Sequence, residues 1–195
     1  MIYLLRHGQT QFNAERRIQG QCDSPLTALG REQAAALGRA LGAELGEARH
    51  TVPIVASPLG RAMASAEIVR AHAGIAAPIQ ADERLMEVGC GSWEQLTRPE
   101  IAARHPGYEG AESFMEAWRD HCPDGETLEQ AMARVEDWLR WAEGRTVVAV
   151  SHGITGIIMR ALHERLDGEA MLMLPCPQDR LYRLAGGTVS ELLAA

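Results

Sequence analysis

The stretch TVVAVSHGITGIIMRAL, residues 146–162, predicts a strand that passes directly into a helix. Residues 147–150 are continuously apolar and rich in valine, which is typical of a strand covered on both faces. Beyond Ser151-His152-Gly153, apolar side chains recur at helical spacing, at Ile154, Ile157, Ile158, Ala161 and Leu162. The pattern therefore predicts a buried strand that delivers a histidine to the start of a helix.

Two earlier apolar runs end in a similar way. Residues 2–5 form a short apolar run that stops at Arg6-His7-Gly8, and residues 54–56 form another that stops at Ser57-Pro58. Ser57 and Pro58 match a helix N-cap followed by proline at the first helical position. We therefore expect two more strands, the second followed by a helix that begins at Pro58, carries Arg61 one turn in and ends near residue 73.

Other segments show clear helix and hairpin signals. Leucines at multiples of four behind Thr27 predict a helix over residues 28–45, and Thr127 with Gln130 matches a capping box before an amphipathic helix. Gly186-Gly187 joins two short apolar runs, as in a tight hairpin. Strands that alternate with helices predict an α/β fold, a three-layer α/β/α sandwich with a mostly parallel sheet and helices on both faces.

The length of 195 residues favours a single domain spanning residues 1–195. Residues 88–125 fit the alternation poorly and resemble an insertion of helix and loop over the active site. They hold a disproportionate share of the aromatic residues, namely Trp93, Tyr108, Phe114 and Trp118. Together with Met115, these side chains either line the pocket or form a small core of the insertion, and the sequence leaves both open.

Composition narrows the class of protein. The net charge of −7, with 46% apolar and 23% charged residues, is typical of an ordinary globular protein and argues against a nucleic-acid partner. The first residues resemble neither a signal peptide nor a membrane span. The cysteines Cys22, Cys90, Cys122 and Cys176 form no Cys-x-x-Cys pair, so we expect reduced thiols in a cytoplasmic protein.

Cations and imidazoles follow the three predicted strands. Arg6 and His7 follow the first, Arg61 comes shortly after the second, and His152 follows the third. Taken singly, each is more often a structural or solvated residue. If the strands are neighbours, however, two guanidinium groups and two imidazoles converge beside helix N-termini, and that combination suits a phosphate monoester.

The ordered set of motifs resembles the histidine phosphatase superfamily, which has the phosphoglycerate-mutase-like fold. The resemblance spans nearly the whole chain. It rests on Leu5-Arg6-His7-Gly8-Gln9-Thr10, Asn13, Gln19-Gly20, Asp23-Ser24-Pro25-Leu26-Thr27, Gly30, Gln33-Ala34, Ser57-Pro58 with Arg61, Leu85-Met86-Glu87, Gly91-Ser92-Trp93-Glu94, Pro123-Asp124-Gly125-Glu126-Thr127 and Ser151-His152-Gly153. One departure is Gln95, where glycine is common in the family; it lies beside the loop of the presumed acid.

The resemblance implies the roles of the site residues. His7 is the nucleophile that becomes phosphorylated, Glu87 is the proton donor, and Glu83 and Glu94 are rival donors. The phosphoryl oxygens are held by Arg6, Arg61 and His152, with a polar contact from Asn13. No metal or cofactor is required, because cationic side chains stabilise the transferring group. A phosphate or sulfate ion is expected in the same pocket.

The predicted function is metal-independent hydrolysis of a small phosphorylated metabolite through a phosphohistidine. The alternatives are a phosphoglycerate mutase, a phospholigand-binding module without activity and a metal hydrolase. Length favours a hydrolase over a mutase, since mutases of this family usually run longer. Retention of both histidines and both arginines argues against a binding module, and no motif such as His-x-His suggests a metal site. A homodimer is compatible with the sequence.

Overall fold

The computed structural model describes residues 1–105, 108 and 113–193. Six of its strands form one sheet in the order β3-β2-β4-β1-β5-β6. The four strands β1 to β4 are parallel, and β5 and β6 form an antiparallel hairpin at one edge. Their bounds are β1 Ile2–Arg6, β2 Ile54–Ala56, β3 Ile79–Ala81, β4 Val147–Ser151, β5 Arg180–Ala185 and β6 Thr188–Leu193. The predicted mostly parallel α/β sheet is confirmed.

Helices cover both faces of the sheet. Within the described residues they are α1 Gln11–Ala14, α2 Ala28–Leu45, α3 Gly60–Ala73, α4 Arg98–Arg104, α5 Phe114–His121, α6 Leu128–Ala142, α7 Gly153–Glu164 and α8 Gly168–Leu172. Leu5 and Val150 face α2 and α3, whereas their neighbours Leu4 and Ala149 face α6 and α7. This alternation along each strand produces two apolar layers and confirms the three-layer sandwich.

The sheet register brings the three predicted strand ends together. Arg6 of β1 lies opposite Ser151 of β4, and Ala56 of β2 lies opposite Val150 of β4. Because these strands are adjacent and parallel, the residues that follow them emerge at one edge of the sheet. The expectation that the strands are neighbours is therefore correct.

The predicted start of α3 at Pro58 is wrong. Leu59 has an extended backbone and the helix begins at Gly60. A carboxylate distant in sequence, Asp23, accepts hydrogen bonds from the backbone N–H groups of Gly60 and Arg61 and so caps the helix from outside. The N-caps predicted for α2 and α6 are confirmed. The side chain of Thr27 accepts from the backbone N–H of Gly30, and Thr127 forms a capping box with Gln130.

The segment of residues 88–125 packs into the main core of the protein. Trp93 and Trp118 are fully buried in the same apolar cluster as Leu4 and Ala149. Of the aromatics in question, Phe114 is the one that lines the candidate pocket described below. Of the two locations that the sequence left open, pocket lining holds for Phe114, whereas the two tryptophans belong to the main core and not to a small core of the segment. Residues 106–107 and 109–112 of this segment lie outside the described residues.

No helix in the described part of the chain is long and apolar enough to cross a membrane. The four cysteines all lie in that part, and each is a free thiol. The hairpin between β5 and β6 turns at Gly186 and Gly187, whose φ angles of 58° and 77° lie in the region that favours glycine. The hairpin predicted from the glycine pair is confirmed.

Candidate active site

A cavity of about 140 Å³ opens at the carboxyl edge of β1 and β4. Its lining includes five of the site residues expected from the sequence, namely Arg6, His7, Asn13, Arg61 and Glu87, but does not include the sixth, His152. The backbone of Gly153 and the side chains of Ile18, Val88, Phe114 and Ile154 complete much of the wall. A phosphoryl group fits a cavity of this size, since one water molecule in the liquid takes up about 30 Å³.

His7 is buried, and its hydrogen bonds determine which ring nitrogen carries the proton. Nε2 accepts from Nε of Arg61 at 3.3 Å, and a guanidinium nitrogen can only donate. Nδ1 lies 2.8 Å from the carbonyl oxygen of Gly8, which can only accept. The proton therefore sits on Nδ1, and the lone pair lies on Nε2, where it accepts from Arg61. Burial, reinforced by the charges of Arg6 and Arg61, lowers the pKa of His7 well below its ordinary value.

His152 lies beside His7 and is equally buried. The two ring centroids are 5.1 Å apart, and Nε2 of His152 is 2.7 Å from the hydroxyl oxygen of Ser57. Burial comes first among the causes that lower the pKa of His152 well below its ordinary value, followed by repulsion from His7 and Arg61. Both imidazoles are therefore neutral in the folded protein at neutral pH.

These two neutral imidazoles make stability depend on pH. The unfolded chain binds protons at both rings near pH 6.5, whereas the folded chain does so only at lower pH. Lowering the pH through 6.5 therefore favours unfolding. We expect the free energy of unfolding to fall by about 1 to 3 kcal/mol between about pH 7.5 and about pH 5.5 because of these two groups, measured by urea denaturation.

Paired double variants isolate this contribution. His7→Gln with His152→Gln is expected to flatten the pH dependence over that range. His72→Gln with His121→Gln removes two exposed imidazoles and should leave the dependence as in the parent protein. Equal slopes in the two double variants would show that the buried pair is not the cause.

Arg61 uses four of its five N–H donors in contacts around the cavity, which leaves one N–H of Nη2 for a ligand. Besides Nε to His7, its Nη1 donates to the carbonyl of Cys22 at 2.7 Å, and its Nη2 to the carbonyl of Gly20 at 2.6 Å. It also pairs with Asp23 at 3.1 Å. These contacts hold a loop of residues 20–23 against the cavity.

Arg6 directly precedes His7 in the sequence and lines the same cavity. Its Nη1 donates to the carbonyl oxygen of Cys176. Its Nε is buried and has no hydrogen-bond partner among the described residues. A buried donor without a partner is costly, so an anion that accepts from it is stabilised.

Asn13 is oriented by its own helix cap. Its Oδ1 accepts from the backbone N–H of Thr10 at 3.2 Å and from Nε2 of Gln178 at 2.9 Å. With both acceptor positions of Oδ1 filled from the protein, the side-chain NH₂ group is left to donate elsewhere. The structure thus places Asn13 with the other expected residues and adds Gln178, which the sequence reasoning missed because no local pattern marks it.

Glu87 caps α7. One oxygen accepts from the backbone N–H groups of Gly153 and Ile154 at 3.0 and 3.2 Å, and the other accepts from N and Oγ1 of Thr155 at 3.1 and 3.2 Å. Of the three candidate glutamates, Glu87 lines the cavity, while Glu83 is exposed and Glu94 accepts from the backbone of Gln21 and Cys90.

Gln95 adopts a backbone conformation that explains the frequent glycine at this position. Its φ angle is 67°, in the left-handed region. Its N–H donates to the carbonyl of Ile18, and its carbonyl accepts from Arg17. The loop thus takes a turn suited to glycine although glutamine occupies it. Within the described residues, no group of three or more His, Cys, Asp or Glu side chains is arranged to hold a metal ion.

Comparison with known proteins agrees with this geometry. The family model of the histidine phosphatase superfamily (branch 1) matches residues 2–186. The probable phosphoglycerate mutase GpmB of Enterobacter sp. (strain 638) is 36% identical over 201 residues, covering 98% of this chain and 83% of that protein.

Solved structures show the same fold. Bacillus stearothermophilus YhfR superposes with a TM-score of 0.79 at 32% identity, covering 98% of this chain and 95% of that one. Mycobacterial glucosyl-3-phosphoglycerate phosphatase Rv2419c, solved with VO3, has a TM-score of 0.77 at 27% identity, covering 100% of this chain and 97% of the other.

Proposed function

Because the chain belongs to the histidine phosphatase superfamily, we propose that it is a phosphomonoester hydrolase that works through a phosphohistidine at His7. The observation that carries the proposal is the tautomer of His7. A neutral imidazole with Nδ1–H held by Gly8 carries its lone pair on Nε2, which can attack phosphorus in line once the hydrogen bond from Nε of Arg61 is released to the phosphoryl group. Its low pKa keeps that lone pair unprotonated at neutral pH.

The surrounding charges suit both steps of such a reaction. Nε2 of His7 forms a bond to phosphorus while the bond to the alcohol oxygen breaks, and water then displaces the histidine to release phosphate. Arg6 and Arg61, which line the cavity, and His152, whose ring lies 5.1 Å from that of His7, are proposed to bind the equatorial oxygens, and Asn13 to donate to one of them. Fixed cations around the transferring group stabilise the charge that it carries in the transition state.

Glu87 is proposed as the proton donor to the alcohol oxygen; its oxygens accept from the backbone of Gly153, Ile154 and Thr155 in this structure, so one of these hydrogen bonds has to open when the carboxyl group carries the proton. It is the one among the candidate glutamates that lines the cavity. The histidines and arginines are taken up by the phosphoryl group, so a carboxyl group is left to supply the proton. An alkoxide is a poor leaving group at neutral pH and requires protonation as the bond to phosphorus breaks.

The cavity wall supports a hydrolase with an uncharged leaving group. Beyond the proposed phosphoryl-binding residues, Arg17 is the one cation on the lining within the described residues, and it is paired with Glu15 and Glu100. The residues outside that part contain no Lys or Arg. A carboxylate on the substrate would therefore lack a free cationic partner next to the apolar side chains of Ile18, Val88, Phe114 and Ile154.

The name of the Enterobacter relative favours a second candidate, phosphoglycerate mutase activity. A mutase returns the phosphoryl group from the histidine to a bound glycerate instead of to water. The first chemical step is the same in both cases. The two candidates therefore differ in the acceptor and in the need to bind a carboxylate.

A substrate comparison separates the two candidates. In the presence of a chelator, we expect kcat/KM for nitrophenyl phosphate to exceed that for 3-phosphoglycerate by about 10-fold or more, since an unpaired buried carboxylate costs more than about 1.4 kcal/mol. Inorganic phosphate release and isomerisation to 2-phosphoglycerate are measured in parallel. Isomerisation faster than phosphate release would favour the mutase, and loss of all activity with chelator would refute metal independence.

A further inference from the structure

The segment between α8 and β5 contacts two of the proposed phosphoryl-binding residues, Arg6 and Asn13. Nη1 of Arg6 donates to the carbonyl of Cys176, and Nη2 of Arg160 donates to the carbonyl of Pro175. Two residues after Cys176, Nε2 of Gln178 donates to Oδ1 of Asn13 at 2.9 Å and to the carbonyl of His7 at 3.3 Å. This segment, residues 173–179, is thus held by two arginines and contacts His7 and Asn13 of the cavity lining through Gln178.

The hydrogen bonds that link Thr10, Asn13, Gln178 and His7 have defined donors and acceptors, because the backbone groups at both ends can act in only one way. The backbone N–H of Thr10 can only donate, so the Asn13 atom that faces it is the oxygen. The Gln178 atom that contacts this oxygen must then be the side-chain nitrogen. The backbone carbonyl of His7, which can only accept, agrees with that orientation.

The consequence is a fixed orientation of Asn13. Thr10 and Gln178 together occupy its oxygen, and its NH₂ group makes no hydrogen bond to any described residue. Without Gln178, one weak contact at 3.2 Å remains to hold the amide, and rotation would turn the oxygen towards an anion. We propose that Gln178 is a positioning residue that keeps the donor group of Asn13 and the backbone of His7 set for the phosphoryl group.

This inference rests on the proposed function, because it assigns Asn13 a phosphoryl oxygen as partner. That contact would be present in the bound substrate and in the transition state alike. An interaction of this kind contributes to KM and to anion affinity, with little effect on kcat. The expected signature is therefore weaker binding with turnover preserved.

The test uses inorganic vanadate as a competitive inhibitor of nitrophenyl phosphate hydrolysis. Gln178→Met keeps the length of the side chain and removes the donor. We expect the vanadate Ki and the KM to rise about 3- to 10-fold, the effect of one lost neutral hydrogen bond, while kcat changes by less than about 2-fold. In an Asn13→Ala background the same substitution should change Ki by less than about 2-fold.

Gln33→Met is the matched control. Oε1 of Gln33 accepts from the backbone N–H of Gln9, so this glutamine supports the loop after His7 without contacting Asn13. We expect it to retain the parent Ki. If Gln178→Met does not fold, Gln178→Glu retains the shape, presents an acceptor to Asn13 and His7, and should raise Ki further.

Two results would overturn the inference alone. The first is a parent-like Ki in folded Gln178→Met, and the second is a rise of equal size in the Asn13→Ala background, which would assign Gln178 a purely structural role. A parent protein that neither binds vanadate nor hydrolyses nitrophenyl phosphate would refute the proposed function and this inference with it.

Discussion

The His7→Ala variant is expected to lose turnover of nitrophenyl phosphate by about 10⁴-fold or more, the effect typical of removing a covalent nucleophile. No other described side chain has the same placement. Unlike His7, His152 is not among the described residues that line the cavity, and the guanidinium groups there cannot act as nucleophiles. The measurement is initial rate under saturating substrate, with the variant purified from a strain that lacks contaminating phosphatases.

Two controls make the loss interpretable. His72→Ala removes an exposed imidazole and should keep the parent rate. His7→Ala should still bind vanadate, because Arg6, Arg61 and His152 remain. A His7→Ala variant that is folded and retains more than about one tenth of the parent rate would contradict a nucleophilic role, given losses of this size elsewhere.

The Glu87→Gln variant is expected to respond strongly to the leaving group. Phosphorylation of the enzyme by an alkyl phosphate should slow by about 10²- to 10³-fold, whereas phosphorylation by nitrophenyl phosphate should slow by about 10-fold or less. A nitrophenolate is a weak base and leaves without a proton. The comparison uses single-turnover rates of phosphorylation, because the later hydrolysis step is common to both substrates and would narrow the difference.

Comparing the loss of rate between the two substrates also separates the missing proton from a structural effect of the substitution. The side chain of Glu87 accepts from the N-terminal amides of α7, so the NH₂ group of glutamine would face donors and disturb the site. That disturbance affects both substrates, whereas loss of a proton affects mainly the alkyl phosphate. Glu94→Gln and Glu83→Gln are the matched variants, and a larger ratio in either would transfer the role of donor to that residue.

Much of the fold follows from local patterns in the sequence. The valine-rich run before Ser151-His152-Gly153 predicts a buried strand followed by a helix, and the structure has β4 and α7 there. The convergence of Arg6, His7, Arg61 and His152 follows once the strands are assumed to be parallel neighbours, because residues after such strands meet at one edge.

Features set by distant contacts are not visible in the sequence. The start of α3 depends on Asp23, which caps the helix from a loop 37 and 38 residues earlier. The orientation of Asn13 depends on Gln178, separated from it by 165 residues. Likewise, the sequence does not show where the aromatic side chains of residues 88–125 lie, because composition does not reveal what they pack against.

The most direct test of the account is to trap the phosphoryl group on the enzyme. The protein is mixed with a labelled phosphomonoester, quenched in denaturant within milliseconds and digested under alkaline conditions, which preserve phosphohistidine. We predict an acid-labile label on the peptide that contains His7, absent in His7→Ala. Label on His152 or on a serine such as Ser57, or hydrolysis with no covalent label at any time, would contradict the account.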